Sequence, residues 1–454
     1  MSEWKKVPIS SFLTCREGKY KPDSAEVCDL PRLSKIDFSG NIHTSDKPSK
    51  TDMIIVQPHD LVISGINVAK GAIAIYQGDT PIAATIHYSS YTFDEAKIDI
   101  EYFKRFLQSP VFIETLKTQV KGGIKTEIKP KQFLPLEIQL PSISEQQNIV
   151  KYFKSFEQEL LELNSELSSQ KNHLKQLRQA ILQEAIEGKL TKEWRIDNPV
   201  VKGDPNTDAT ALLAQIQAEK QRLIADGKLK KEKPLAPITD AEKSFELPDE
   251  WVWVRLGELC TKVTDGFHHT PKKLRTGVVY ISATHIRETG IDWHDCQFIS
   301  EAEHIPLYRK ASPLKGDILI TNRGAGCGTP AIIDRDIPFS FQNAALIGFN
   351  QSFMLNEYLC YFIIAVRDKI IKDFVSGGLQ PMLSNVVLKT IDIAVPSIFE
   401  QTDIVQKIKH LIAQVDALES ELKTRQTQAK QLMQAVLKEA FSPSLSDKTN
   451  KELS

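Results

Sequence analysis

The sequence predicts an α+β fold built twice: two globular domains in tandem, each followed by a long helix, the two helices zipped into an antiparallel intramolecular coiled coil with pseudo-two-fold symmetry. Three observations predict it. Pro141-Ser-Ile-Ser-Glu-Gln146 returns as Pro396-Ser-Ile-Phe-Glu-Gln401, 255 residues on. Each copy opens a long heptad pattern, and each is preceded by strand-like and helix-like segments in the same order.

The same offset carries Ile149-Val150 onto Ile404-Val405, Ser165-Glu-Leu167 onto Ser420-Glu-Leu422, and Gln176 through Ala185 onto Gln431 through Ala440. No gap is needed, and about 20 of about 45 aligned positions are identical, which marks two copies of one unit.

Apolar residues step by four and three along each copy, the a/d spacing of a coiled-coil seam. The first seam is Ile149, Phe153, Phe156, Leu160, Leu163, Leu167, Leu174, Leu177 and Ile181; the second is Ile404, Ile408, Leu411, Val415, Leu418, Leu422, Ala429, Leu432 and Val436. Each is broken once by a polar residue at the same place, Gln170 and Arg425, which are expected to face each other as a register device. Each narrow stripe needs a long partner, and the other copy is the obvious one. Pattern alone leaves parallel and antiparallel pairing open; internal two-fold symmetry favours antiparallel.

Upstream, Asp60 to Ile63 with Ala72 to Tyr76, and Asp317 to Thr321 with Ala331 to Ile333, read as hairpins around glycine-containing turns. Tyr102 to Val120 and Glu357 to Val375 have helical spacing with an apolar face. Between the copies lies a connector with a helix expected from Ala209 to Asp226 and a solvated lysine run before Pro234. The expected boundaries are a first globular domain at 1–140, a spacer helix at 141–187, a connector at 188–247, a second domain at 248–395, a second spacer helix at 396–442 and a flexible tail at 443–454.

At 454 residues, 41% hydrophobic and 25% charged, the chain has an ordinary globular composition with room for several cores. A net charge of -1 provides no overall attraction to nucleic acid, so any such binding must come from local basic patches. Six cysteines without a C-x-x-C pair suit free thiols in a reducing compartment and exclude a spaced zinc site. With no apolar run near the length of a membrane span, the expected location is the cytoplasm.

Several phrases together resemble the specificity (S) subunit of Type I restriction-modification enzymes, over nearly the whole chain. They are the Pro-Ser-Ile-x-Glu-Gln helix openings, Gly188-Lys-Leu-Thr-x-x-Trp-Arg195, Glu246-Leu-Pro-Asp-Glu-Trp-Val-Trp253, Thr264-Asp-Gly-Phe-His-His-Thr-Pro271 and Gly316-Asp-Ile-Leu-Ile-Thr-Asn-Arg-Gly-Ala-Gly-Cys-Gly328. The resemblance implies two target-recognition domains, each reading one half of a split double-stranded DNA sequence and held apart by the spacer helices. It implies no catalysis by this chain. Two methyltransferase (M) subunits carrying S-adenosylmethionine, and restriction (R) subunits using ATP and Mg, would be the partners, with no cofactor in this chain. A helix of about 36 residues spans roughly 54 Å, against about 34 Å for one turn of B-DNA, so the resemblance makes the helix pair a ruler.

The candidate DNA-contacting residues fall in four places. Lys121, Gly122, Gly123, Lys125 and Thr126 form a basic turn where glycine amides could approach phosphate, or where the glycines simply cap a helix. Its counterpart, Gly377, Gly378 and Gln380, offers a carboxamide able to pair with adenine. His268, His269, Thr270, Lys272 and Lys273 combine donors and positive charge; adjacent histidines without a third spaced ligand do not make a metal site. Asn322 and Arg323 end a strand at a glycine-rich turn, and Arg reads guanine as Asn reads adenine. The segment after Gly324-x-Gly-x-Gly328 is strand-like rather than helical, which removes a dinucleotide reading in favour of a hairpin turn. Asn198-Pro-Val200 lacks the second proline and the aromatic of an adenine-methyltransferase motif, so no catalytic residue is expected. The alternative reading is a coiled-coil scaffold whose globular ends bind proteins.

Overall fold

Each long helix begins just after a strand ends, and a buried glutamine fixes the junction. In a computed structural model that describes residues 4–37, 40–66, 72–120, 128–374 and 382–441, the chain forms two units: Met1–Ser169 with Glu421–Ser454 (unit 1) and Gln170–Ser420 (unit 2). In unit 1, Gln146 Oε1 accepts the Asp99 N–H at 2.8 Å while its Nε2 donates to the Pro141 carbonyl at 2.9 Å. In unit 2, Gln401 Oε1 accepts the Leu355 N–H at 2.8 Å and Nε2 donates to the Pro396 carbonyl at 3.1 Å. Both side chains are wholly buried. A buried carboxamide must satisfy its donors and acceptor, and here it does so by clamping the strand end to a preceding helix.

The β framework is also repeated. A four-stranded sheet runs Leu13–Cys15, Tyr88–Phe93, Leu61–Ser64, Ile73–Ile75 in unit 1 and Lys262–Asp265, Ala344–Gly348, Ile318–Thr321, Pro330–Ile332 in unit 2. Both expected hairpins form, Leu61 opposite Ile75 and Ile318 opposite Ile332. A buried aspartate heads the same strand in each. Asp60 accepts from the Ser90 hydroxyl at 2.6 Å and Asp317 from Lys262 Nζ at 3.0 Å. The second sheets diverge: four strands in unit 1 (Ile42–Ser45, Arg32–Ile36, Ile82–Thr85, Met53–Val56), three in unit 2 (Gln297–Ile299, Val278–Ser282, Phe339–Gln342).

One helical expectation needs correction. The segment from Tyr102 to Val120 is two helices, Ile100–Gln108 and Pro110–Gln119. Pro110 disfavours the helical region for the residue before it, and Ser109 is extended (ψ 153) and caps the second helix by accepting the Phe112 N–H at 3.3 Å. With no proline, the counterpart runs unbroken over Asn356–Phe374. The connector helix is Ala209–Ala225, started by Asp208 accepting the Thr210 and Ala211 N–H groups.

The spacer helices are Ile143–Ile186 and Ile398–Ala440. They run antiparallel. In unit 1 Phe153 stacks on Phe441 at 5.7 Å, and in unit 2 Arg178, further along the first helix, pairs with Asp416, further back along the second. Phe153, Leu160, Leu167 and Ile181 are buried, as are Ile404, Ile408, Val415 and Ala429; Ile149, Phe156, Leu174, Leu411, Leu422 and Val436 are half-buried. Leu163, Leu177, Leu418 and Leu432, expected in the seam, are 41 to 50% exposed. They are repeat counterparts of one another, and the cause is geometric. Against one partner helix only a narrow stripe is covered, so one heptad line is buried and positions on the alternate line lie at the flank. Gln170 is half-buried; Arg425 is exposed and bonds Glu421 one turn back at 2.6 Å.

Unit 2 holds a buried polar lock that draws together three of the phrases on which the family resemblance rests. The Glu400 carboxylate, 2% exposed, accepts from the Thr191 hydroxyl at 2.7 Å, Arg195 Nη1 at 2.6 Å and Trp251 Nε1 at 2.8 Å. Burial pushes this carboxyl up, and its three donors pull it down. The lock ties the start of the second spacer helix to the segment after the first one and to the entry of the second globular segment.

A second ion-pair site gives a pH prediction. The Thr239 N–H and hydroxyl and the Arg255 guanidinium hold Glu242 down to about 2 from an ordinary 4.5. A depressed carboxyl stabilises the fold fully above its unfolded value, and that contribution drains away as pH falls through the folded one. Glu242→Gln should therefore flatten the urea midpoint of unit 2 between pH 4.5 and 2; an unchanged slope would show that the pairing does not matter. All six cysteines are free thiols, and no helix among the described residues is long and apolar enough to cross a membrane.

Candidate nucleic-acid interface

The strand Ile318–Thr321 runs directly into Asn322, whose backbone and side chain are both held. Its N–H donates to the Asn343 carbonyl at 3.0 Å, its carbonyl accepts the Leu383 N–H at 2.9 Å, and Nδ2 donates to Asp265 Oδ1 at 3.0 Å. The side chain is 8% exposed, yet Oδ1 is buried without a partner. Arg323 follows, exposed, bridging Met382 through the backbone and making no ion pair among the described residues. These residues line a cleft of about 160 Å³ with His268, Asn343 and Asn385, and Asn385 Oδ1 is also buried and unpartnered.

Local sequence explains the cleft walls. Gly266 lets two strands approach, since a Cβ there would collide with the Phe341 carbonyl. Phe267 then bridges Gln342, and its ring lies 5.3 Å from that of His269. Asn343 turns the chain between two strands with φ 56, a left-handed conformation that Asn tolerates better than most residues. Ser384 caps the helix Asn385–Thr390 by accepting the Val387 N–H at 3.2 Å, which sets Asn385 at the cleft edge.

Of the residues proposed from sequence, His268, His269, Thr270, Lys272, Lys273 and Arg323 are exposed, while Asn322 forms the floor. The Lys272 N–H donates to Glu303 at 3.1 Å and holds that carboxyl below the usual carboxylate range. The Thr270 hydroxyl accepts from Gln342 at 3.5 Å. Lys121, Gly122, Gly123, Lys125, Thr126, Gly377, Gly378 and Gln380 lie outside the described residues. Sequence reasoning missed Asp265, Asn343 and Asn385, which meet Asn322 only through the fold; a polar residue between two apolar runs was the one available signal, at Asn343.

The counterpart turn in unit 1 has the same backbone and different chemistry. The Gly65 N–H donates to the His87 carbonyl at 3.0 Å and its carbonyl accepts the Ile128 N–H at 2.9 Å, matching the bonds of Asn322. Gly65 and Ile66 stand where unit 2 has Asn322 and Arg323, and Ile66 is 60% exposed. One frame thus presents a carboxamide and a guanidinium in one copy and an aliphatic surface in the other.

A family model described as Type I restriction modification DNA specificity domain matches residues 1–171 and 248–426. The chain belongs to this family. Among curated relatives of this specificity-domain chain, the Type I restriction enzyme EcoEI specificity subunit of Escherichia coli is 26% identical over 271 residues, 55% of this chain and 42% of that protein. The EcoAI specificity subunit of Escherichia coli is 48% identical over 84 residues, 18% of this chain and 13% of that protein. The matches thus span less than half the length of these two relatives. A solved structure titled "Structural basis underlying complex assembly and conformational transition of the type I R-M system" matches over 97% of both chains at 15% identity, with a TM-score of 0.56, and shares the fold.

Proposed function

We propose that this chain is the sequence-specific DNA-binding subunit of a Type I restriction-modification complex, reading a bipartite double-stranded target through its two globular segments. It performs no catalysis; it tethers methyltransferase subunits, two by the symmetry of the repeat, and restriction subunits in the cytoplasm. S-adenosylmethionine, ATP and Mg belong to those partners. The observation that carries the reading is the twice-built turn with unlike side chains: Asn322 and Arg323 on one copy, Gly65 and Ile66 on the other. A shared frame with exchanged contact groups is what two different half-site readings require. Arg323, exposed at the mouth of the cleft, suits a guanine edge, with Asn322 holding the turn beneath it.

The test is binding of the full complex to random bipartite duplexes, followed by anisotropy on the selected site. Arg323→Ala should weaken the selected site by about 1–3 kcal/mol and relax selection at one base pair. Lys273→Ala should weaken all sequences alike and lower the salt slope by about one. An equal loss on all sequences for Arg323→Ala would remove it as a base reader, and salt-insensitive or absent binding would favour a protein scaffold.

A further inference from the structure

Strand register makes the two repeats comparable residue by residue. Val7 lies opposite Ile138 as Val254 lies opposite Ile393, and Ile138 and Ile393 are repeat counterparts. Trp4 is therefore the counterpart of Trp251, each one position outside the paired strands, and Glu145 is the counterpart of Glu400. Tyr102 and Tyr358 likewise stand three residues after the amides that Gln146 and Gln401 accept.

In unit 2 every polar atom of this set is satisfied. Trp251 Nε1 and Glu400 join the lock, and the Tyr358 hydroxyl donates to the Ala394 carbonyl at 2.7 Å. In unit 1 they are not. Trp4 Nε1 is buried with no partner, and so is the hydroxyl of Tyr102, a wholly buried side chain. Among the described residues, Glu145 accepts from the N–H and hydroxyl of Ser142 at 3.2 and 3.1 Å and from none resembling Thr191 or Arg195. Burial first, and the Glu145 charge second, raise the Tyr102 phenol, as burial and Glu400 do for Tyr358. A buried polar group left unpaired is costly, and one such group, Trp4 Nε1, stands here at the counterpart of a lock donor while a second, the Tyr102 hydroxyl, lies at the counterpart of the satisfied Tyr358.

We propose that Trp4 and Glu145 form an open socket for a segment of a partner polypeptide carrying a hydroxyl residue and, four positions later, an arginine. That is the chemistry Thr191 and Arg195 supply in unit 2. The chain's own residues after the second spacer helix match in part, with Leu445 and Ser446 at the counterparts of Leu190 and Thr191, but fail at the turn and at the charge. The repeat counterpart of Gly188, which has φ 72, is Pro443, and that of Arg195 is Asn450. Proline is fixed near -65°, and asparagine carries no charge for Glu145.

The probe is a synthetic peptide with the sequence of Gly188 to Arg195, titrated calorimetrically into the full chain. One saturable site is expected, weakened about 10-fold or more by Glu145→Gln and equally by arginine-to-alanine substitution in the peptide, the scale of a lost charged hydrogen bond. The peptide variant leaves the protein untouched, so a folding defect in Glu145→Gln cannot decide the result. No binding, or binding indifferent to both changes, overturns the socket. Binding that emerges only when Leu445 and Ser446 are both changed to glycine means the chain's own tail fills it, and overturns the partner reading.

Discussion

Glu400→Ala is expected to destabilise unit 2 by about 3–5 kcal/mol, the range for removing one member of a buried ion pair. The loss is large because three donors lose their acceptor at once. Arg195, 14% exposed in its side chain, would be left as a buried charge near the Trp251 ring, 6.0 Å from its centroid. Thr191 is fully buried, and Trp251 is 5% exposed. Glu400→Gln keeps the shape and one acceptor oxygen, so it should lose less. Urea unfolding followed by tryptophan fluorescence reads this directly, since one of the three donors is an indole. A cost under about 1 kcal/mol for Glu400→Ala would mean that water replaces the carboxylate freely and that the lock is not structural.

Phe441→Ala should cost unit 1 about 3–5 kcal/mol, the usual penalty for truncating a buried phenylalanine. Phe441 is 2% exposed; its ring lies 5.2 Å from Tyr102, 5.6 Å from Phe106 and 5.7 Å from Phe153. It thus joins the end of one spacer helix, the start of the other and a helix of the globular segment in one aromatic cluster. A double-mutant cycle with Phe153→Ala should return a coupling of about 0.5–1.5 kcal/mol for the stacked pair. Additive losses would show that the two rings merely share a core without supporting each other.

The long-range symmetry was legible in the sequence because it is written in identities at one fixed offset. Strand pairing of Leu61–Ser64 with Ile73–Ile75 and of Ile318–Thr321 with Pro330–Ile332 was legible for a related reason: short apolar runs flank a glycine-containing turn. Periodicity reports which side chains share a helix face and says nothing of what covers that face. Hence Leu163, Leu177, Leu418 and Leu432 read as seam although they lie exposed. The break at Ser109 was missed because apolar spacing continues across Pro110. Of the candidate interface, the exposed basic loop could be seen locally. The Asn322 pocket could not, since Asp265, Asn343 and Asn385 converge on it from a strand, a turn between two others and a short helix. Nor could the lock be seen: Thr191, Arg195, Trp251 and Glu400 come from three motifs recognisable one by one, and only folding makes them a single network.

The clamps formed by Gln146 and Gln401 carry no charge and are sealed from solvent. Counterions weaken attractions between exposed charges and have little hold on buried contacts, and a carboxamide does not titrate across the physiological range. The angle at which each spacer helix leaves its own strand is therefore indifferent to ionic strength and acidity. Conditions that loosen a grip on phosphate would leave the joints of the instrument as stiff as before.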